Sequence, residues 1–178
     1  MNPSSLEPRF VDLPPGLVAL TATARGMVDH SLAPAARQAF GELLAAVQPA
    51  GCATRIRSRI ALSLDTPKGP DDPDCRYVAG VVFGHSLADG SGTVERPDVP
   101  LTGTLAWQPL ASGRHAVFTH RGPYTALHRT WQAIYRDWLP ASGEALQDAP
   151  PMELMLNSPA DTPPAQLHTE IWIPLQPR

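Results

Sequence analysis

Residues 113–124 read GRHAVFTHRGPY, residues 150–159 read PPMELMLNSP, and residues 168–175 read HTEIWIPL. The first stretch is rich in β-formers and stops at Gly122-Pro123, which predicts a strand over Arg114–Arg121 closed by a turn. The other two alternate, and predict strands over Met152–Leu156 and Thr169–Leu175. Successive strand side chains point to opposite faces, so Glu153 shares a face with Met155, and Glu170 shares one with Trp172. Met and Trp beside acids on an open sheet face call for something to bind there. The pattern points to a pocket for an apolar small molecule, with cations favoured by the acids.

Between these strands, Leu127, Trp131, Ile134 and Trp138 recur at helical spacing and predict a helix over Tyr124–Leu139, ended by Pro140 and Gly143. The first half repeats this order. Leu17–Arg25 reads as a strand. A helix begins at Ser31, tolerates Pro34 in its first turn, and carries Ala36, Phe40, Leu43, Leu44 and Val47 at helical spacing. Ile56–Leu64 and Tyr77–Phe83 read as strands around a Pro- and Asp-rich turn at 66–74, which Ser158–Pro164 matches in the second half. Trp107–Leu110 adds a short strand, and Leu87–Pro100 reads as a polar loop.

The chain therefore reads strand–helix–strand–strand twice. It is expected to form a single domain over 9–178, with pseudo-repeats at about 9–86 and 104–178 and a flexible N-terminus at 1–8. The predicted class is α+β: duplicated βαββ units in an antiparallel-rich sheet, helices on one face and a ligand groove on the other, between the two halves.

Composition narrows the function. The net charge is -3 and Lys68 is the only lysine, so nothing favours direct binding to nucleic acid phosphates. The run Arg55, Arg57, Arg59 reads as a solvated strand edge. Cys52 and Cys75 are far apart in sequence and the six histidines are scattered, so no metal is expected, and no cofactor. There is no nucleophile elbow, and the GSG at 90–92 lacks the flanking elements of a phosphate loop. MNPSSLEPRF is no signal peptide and no apolar run reaches membrane-spanning length, so a cytoplasmic protein with reduced cysteines is expected.

As an ordered set, RHAVFTHRGP at 114–123, WQAIYRDWLPASG at 131–143, ELMLNSP at 153–159 and TEIWIPL at 169–175 resemble the GyrI-like superfamily, which includes the effector-binding domains of AraC-type and multidrug-sensing regulators. The likeness covers the last 65 residues or so closely. It extends faintly into the first half, where Arg76-Tyr77 precedes Ala79-Gly80-Val81. The resemblance implies a duplicated βαββ fold with a central groove that, in regulators, binds lipophilic cations through a buried carboxylate and aromatic walls. Glu170 matches the family's acidic position in the closing strand and Glu153 a second frequent acid. Met155 departs from the pattern, standing where an aromatic is common. Few residues precede the first strand, so the resemblance is to a stand-alone form without a helix-turn-helix region.

The ligand-binding candidates are thus Glu170, Glu153, Trp172, Met155, Tyr77, Tyr124 and Trp131. Glu170 reads either as a groove carboxylate or as an exposed strand acid paired with Arg114 or Arg121. Trp131 and Trp138 read first as core, with Trp131 able to back the groove. The leading expectation is sensing or sequestration of a lipophilic small molecule. Two alternatives stay open. One is hydrolysis of reactive toxins, with Glu170 as general base and Tyr77 or Tyr124 as proton partner. The other is a gyrase-inhibitor-like role with a protein partner.

Overall fold

The computed structural model describes residues 6–178. Of the expected flexible start, residues 1–5 lie outside the described residues. The strands are β1 (Arg9–Leu13), β2 (Val18–Arg25), β3 (Ile56–Leu62), β4 (Arg76–His85), β5 (Gly92–Glu95), β6 (Ala106–Pro109), β7 (Gly113–Arg121), β8 (Met152–Met155) and β9 (His168–Pro174). The helices are α1 (Ala33–Val47), α2 (Leu127–Ala133) and α3 (Leu139–Ser142), the last two joined by a π-helical turn over Ile134–Trp138. The class is α+β, and the strand pairings within each unit described below are antiparallel.

The chain divides into two compact units. One spans Gly16–Leu110 and holds strands in the order β3-β4-β2-β6, with β5 beside β4. The other takes the described residues up to Pro15 together with Ala111–Arg178, in the order β8-β9-β7-β1. The two orders are the same once the repeat is allowed for: second strand, third strand, first strand, then a lead-in strand. The lead-in strands are exchanged. β1 precedes the first repeat in sequence but pairs with β7 of the second, and β6 precedes the second repeat but pairs with β2 of the first.

A shared clamp marks equivalent positions. Asp65 Oδ2 accepts the backbone N–H of Arg76 at 3.0 Å, and Asn157 Oδ1 accepts that of His168 at 2.8 Å. Each closes the turn between the second and third strands of its repeat, as the paired Pro- and Asp-rich stretches predict.

In the first repeat α1 packs on β2 and β4 through Ala35, Ala39, Leu43 and Val47, a strict step of four. That stripe is rotated from the predicted one, and Leu44 is exposed. Alanines at 35 and 39 meet Ala22 and Ala79 in one buried cluster, which lets helix and sheet approach closely. Alanine is a weak hydrophobic signal in sequence, so periodicity favours the stripe of larger residues.

In the second repeat Leu127 and Ile134 pack with Ala116, Phe118, Ile171, Ile173 and Leu175, while Trp131 and Trp138 lie half-buried against the same cluster. The predicted single helix is interrupted. The N–H of Leu139 reaches back five residues to the Ile134 carbonyl, and Pro140 has no N–H to continue the ladder. Two strands lie where the sequence showed none. β1 is five residues with two charges, and β5 lies in the predicted polar loop. The β4–β5 hairpin depends on Gly84 and Gly92, where an added Cβ would collide with the facing backbone carbonyl.

Candidate functional site

The second-repeat sheet presents two different faces. Reading across the ladder, Phe118 pairs with Ile171 and Ile171 with Glu153; the next row is His120, Thr169 and Met155. These residues share the face on which Leu127 and Ile134 pack, so Glu153 and Met155 lie under the helical segment. On the opposite face one row is Arg9, Val117, Trp172 and Met152, and the next is Thr119, Glu170 and Leu154. The expectation that Glu153 and Met155 line the same face as Glu170 and Trp172 is therefore corrected. Each pair shares a face internally, but the β8–β9 register sets Glu153 against Ile171 rather than against Glu170.

Glu170 is buried, its side chain 7% exposed, and its oxygens are committed. Arg9 donates from Nη1 to Oε1 at 2.9 Å and from Nη2 to Oε2 at 3.1 Å, and the Trp172 indole N–H donates to Oε2 at 3.0 Å. The Arg9 guanidinium carbon lies 5.8 Å from the Trp172 ring centroid. Neither Arg114 nor Arg121 is the partner; Arg114 grips Glu144 instead. A bidentate charge-assisted pair with an indole donor leaves both carboxylate oxygens hydrogen-bonded and the charge paired. Edge-on to Trp172 stands His115, with ring centroids 5.9 Å apart, and burial pushes the His115 imidazole down. His168 begins this face; its buried Nε2 has no partner among the described residues, and burial followed by the Arg121 charge pushes it down.

Glu153 is held differently. The Trp131 indole N–H reaches across from α2 to its Oε1 at 2.7 Å. Among the described residues no arginine, lysine or histidine pairs with it. It is half-buried between an apolar sheet face and the helix, and that desolvation pushes its carboxyl up to about 7, against the opposing pull of the indole. Trp131 stacks on Tyr135, with rings nearly parallel at 7° and centroids 6.1 Å apart. Tyr135 also lines an open recess of about 450 Å³ together with Gln132 and Arg136. Arg136 is neutralised by Asp137, 2.9 Å away. The Thr169 hydroxyl, in the row next to Glu153, is fully buried without a hydrogen-bond partner among the described residues.

The first repeat provides an internal control. Ala61 stands four residues before the clamp residue Asp65, as Glu153 stands four before Asn157, and Ala61 faces Ala79 as Glu153 faces Ile171. The same fold is thus built with a buried alanine at the equivalent position, so packing alone does not require a carboxylate there.

Tyr77 belongs to the other unit, where its ring meets Phe40 edge-on at 6.2 Å. Tyr124 opens the 3-10 turn before α2 and is 40% exposed. The structure thus brings Glu153 together with Trp131, and Glu170 with Trp172. Sequence reasoning did not select Tyr135 or Arg9. Tyr135 lies four residues after Trp131, a spacing that signals a helix-face pair. Arg9 lies 161 residues from its partner, on an unpredicted strand, and had no local signal. No group of three or more His, Cys, Asp or Glu among the described residues is arranged to hold a metal ion, and no described helix is long and apolar enough to cross a membrane.

Comparison with known proteins gives a consistent picture. Residues 6–176 match the family model of the GyrI-like small molecule binding domain. A probable transcriptional regulator, YgiV of Escherichia coli K12, is 36% identical over 66 residues; the match spans 37% of this chain and 41% of that protein. Among solved structures, a hydrolase from Listeria innocua superposes with a TM-score of 0.60 at 12% identity, over 96% of this chain and 92% of its own. The EcmrR C-terminal domain does so with a TM-score of 0.60 at 14% identity, over 96% and 97%. SAV2435 bound to tetraphenylphosphonium gives 0.53 at 17% identity, over 96% and 94%. At these identities the superpositions establish shared fold.

Proposed function

The chain belongs to the GyrI-like small molecule binding domain family, and on that footing we propose that it captures lipophilic cations at Glu153, as a sensor or sequestering protein. The observation that carries this reading is the state of the Glu153 carboxyl. It is desolvated, unpaired by any cation among the described residues, held by one indole N–H, and set beside the stacked Trp131–Tyr135 pair. Aromatic faces in a desolvated site favour cations by about 1–2 kcal/mol, and a desolvated carboxylate without a cationic partner gains from any cation that reaches it. Met155 adds a flexible, polarizable wall where a more rigid aromatic would be more exacting. SAV2435, which shares the fold, has been captured with a lipophilic cation. Glu170 is assigned to the fold rather than to the ligand, because Arg9 and Trp172 already occupy both of its oxygens. Isothermal titration with tetraphenylphosphonium tests the reading. The native protein should bind, and Glu153→Gln should lose at least about tenfold in affinity; equal affinities would overturn it.

A second reading has one observation in its favour. A carboxyl that titrates near neutrality is matched to general base work. Hydrolysis would then run through Glu153 in place of Glu170. Turnover of a reactive ester or strained-ring substrate that persists in Glu153→Gln would remove it.

A further inference from the structure

The two acids carry the same local device on opposite faces of one ladder: a carboxylate that accepts an indole N–H, Glu153 from Trp131 at 2.7 Å and Glu170 from Trp172 at 3.0 Å. At Glu170 the device is complete. A planar guanidinium donates to both oxygens at 2.9 and 3.1 Å, shares Oε2 with the indole N–H, and lies 5.8 Å from the centroid of that indole. At Glu153 the indole and carboxylate are present without a cationic side chain among the described residues. There Tyr135 stacks on Trp131, with ring planes 7° apart.

From this parallel we propose that the Glu153 site is selective for planar nitrogen cations, guanidinium or amidinium groups carrying an aryl body, bound as Arg9 is bound over Glu170 and Trp172. The proposal rests on the cation-capture reading above and narrows its ligand class. Three features point the same way. A carboxylate with one oxygen held by Trp131 still has lone pairs for a two-pronged donor, as Glu170 demonstrates with the same set. A flat cation can lie along the flat Trp131–Tyr135 pair, whereas a tetrahedral onium presents neither a plane nor an N–H. The buried Thr169 hydroxyl, one row along the ladder on the same face, is an acceptor without a donor among the described residues, and a guanidinium carries more N–H groups than one carboxylate can take.

The test is a matched pair of ligands with one body and two heads: biphenylguanidine and biphenyltrimethylammonium, titrated calorimetrically at pH 8 with tetraphenylphosphonium as reference. The guanidine is expected to bind the native protein at least tenfold more tightly than the ammonium. In Glu153→Gln and Glu153→Ala that preference should fall to within about twofold. Equal or reversed preference in the native protein, while tetraphenylphosphonium still binds in a Glu153-dependent way, overturns the selectivity and leaves cation capture standing. If none of the three binds, both fall.

Discussion

Glu153 and Glu170 leave opposite faces of the same two-stranded ladder, Glu153 opposite Ile171 and Glu170 opposite Leu154. One carboxylate is satisfied within the fold by Arg9 and Trp172; the other has an indole donor and no cation among the described residues. Two acids that look alike in sequence thus stand in different surroundings, and the difference is set by a one-residue offset in register.

Stability should run against function at Glu153. Its folded-state carboxyl lies near 7 against an ordinary value of 4.5, so the native state binds protons more tightly than the unfolded chain. Stability is then fullest below about 4.5, falls as the pH rises towards 7, and is flat above, with a total loss on the order of 3 kcal/mol. Glu153→Gln should remove that slope and stabilise the protein at pH 8 by up to about that amount. Urea denaturation of both proteins at pH 5 and pH 8 measures it; an equally steep slope in the variant contradicts the assignment.

Cation binding should depend on pH in the opposite sense. Only ionised Glu153 attracts a cation, so affinity should rise with pH up to about 7 and level off above it. The groups that share its surroundings are Trp131 and Tyr135 from the helical segment, with His120 and Thr169 from the sheet face. The Tyr135 phenol is pushed up by burial and stays protonated throughout that range. Tetraphenylphosphonium titrations at half-unit pH steps would show the rise, and a pH-independent affinity would count against Glu153.

Breaking the Arg9–Glu170 pair should cost stability and spare the ligand. Arg9 is 44% exposed, so solvent screens it and the loss in Arg9→Met should be roughly 1–3 kcal/mol, short of a fully buried pair. Replacing both partners, in Arg9→Met with Glu170→Met, should recover much of the loss because no unpaired charge is left buried. Thermal melts of the two variants decide this. A double variant less stable than the single one would show that the pair contributes more than its own neutralisation.

Acid should attack a different acid. Arg114 first, then Arg178, hold the Glu144 carboxyl down to about 2, against burial. Its contribution is present above the ordinary carboxylate range and is lost as the pH falls through it towards 2. Glu144→Gln should therefore be less stable than the native protein at pH 6, with the gap closing at pH 2. A gap that stays constant from pH 6 to pH 2 would exclude the clamp as its source.

Much of this was legible in the sequence, and the misses share a cause. Element order, the repeat, both helices and the strands of each βαββ unit follow from periodicity and turn residues, which are local. The family likeness follows from four ordered motifs. Long-range pairing was not legible. Arg9 meets Glu170 only because β1 crosses to the second repeat, and RFVDL is too short and too charged to announce a strand. Without β1, Glu170 reads as a groove carboxylate or as an acid paired with Arg114 or Arg121. Alternation placed Glu153 beside Met155 and Glu170 beside Trp172, but it could not say which pair faces the helix, since that depends on the β8–β9 register. The π-helical turn after Ala133, on the helix that presents Tyr135 over Trp131, was likewise hidden inside an ordinary-looking helical stripe.

Glu153, not Glu170, is the carboxylate proposed to meet a cationic ligand. One calorimetric comparison tests it most directly: tetraphenylphosphonium titrated at pH 8 into the native protein, Glu153→Gln and Glu170→Gln, each first shown to be folded. Glu153→Gln should lose at least about tenfold, and Glu170→Gln should bind within about threefold of native. Full binding in Glu153→Gln with loss in Glu170→Gln would contradict it.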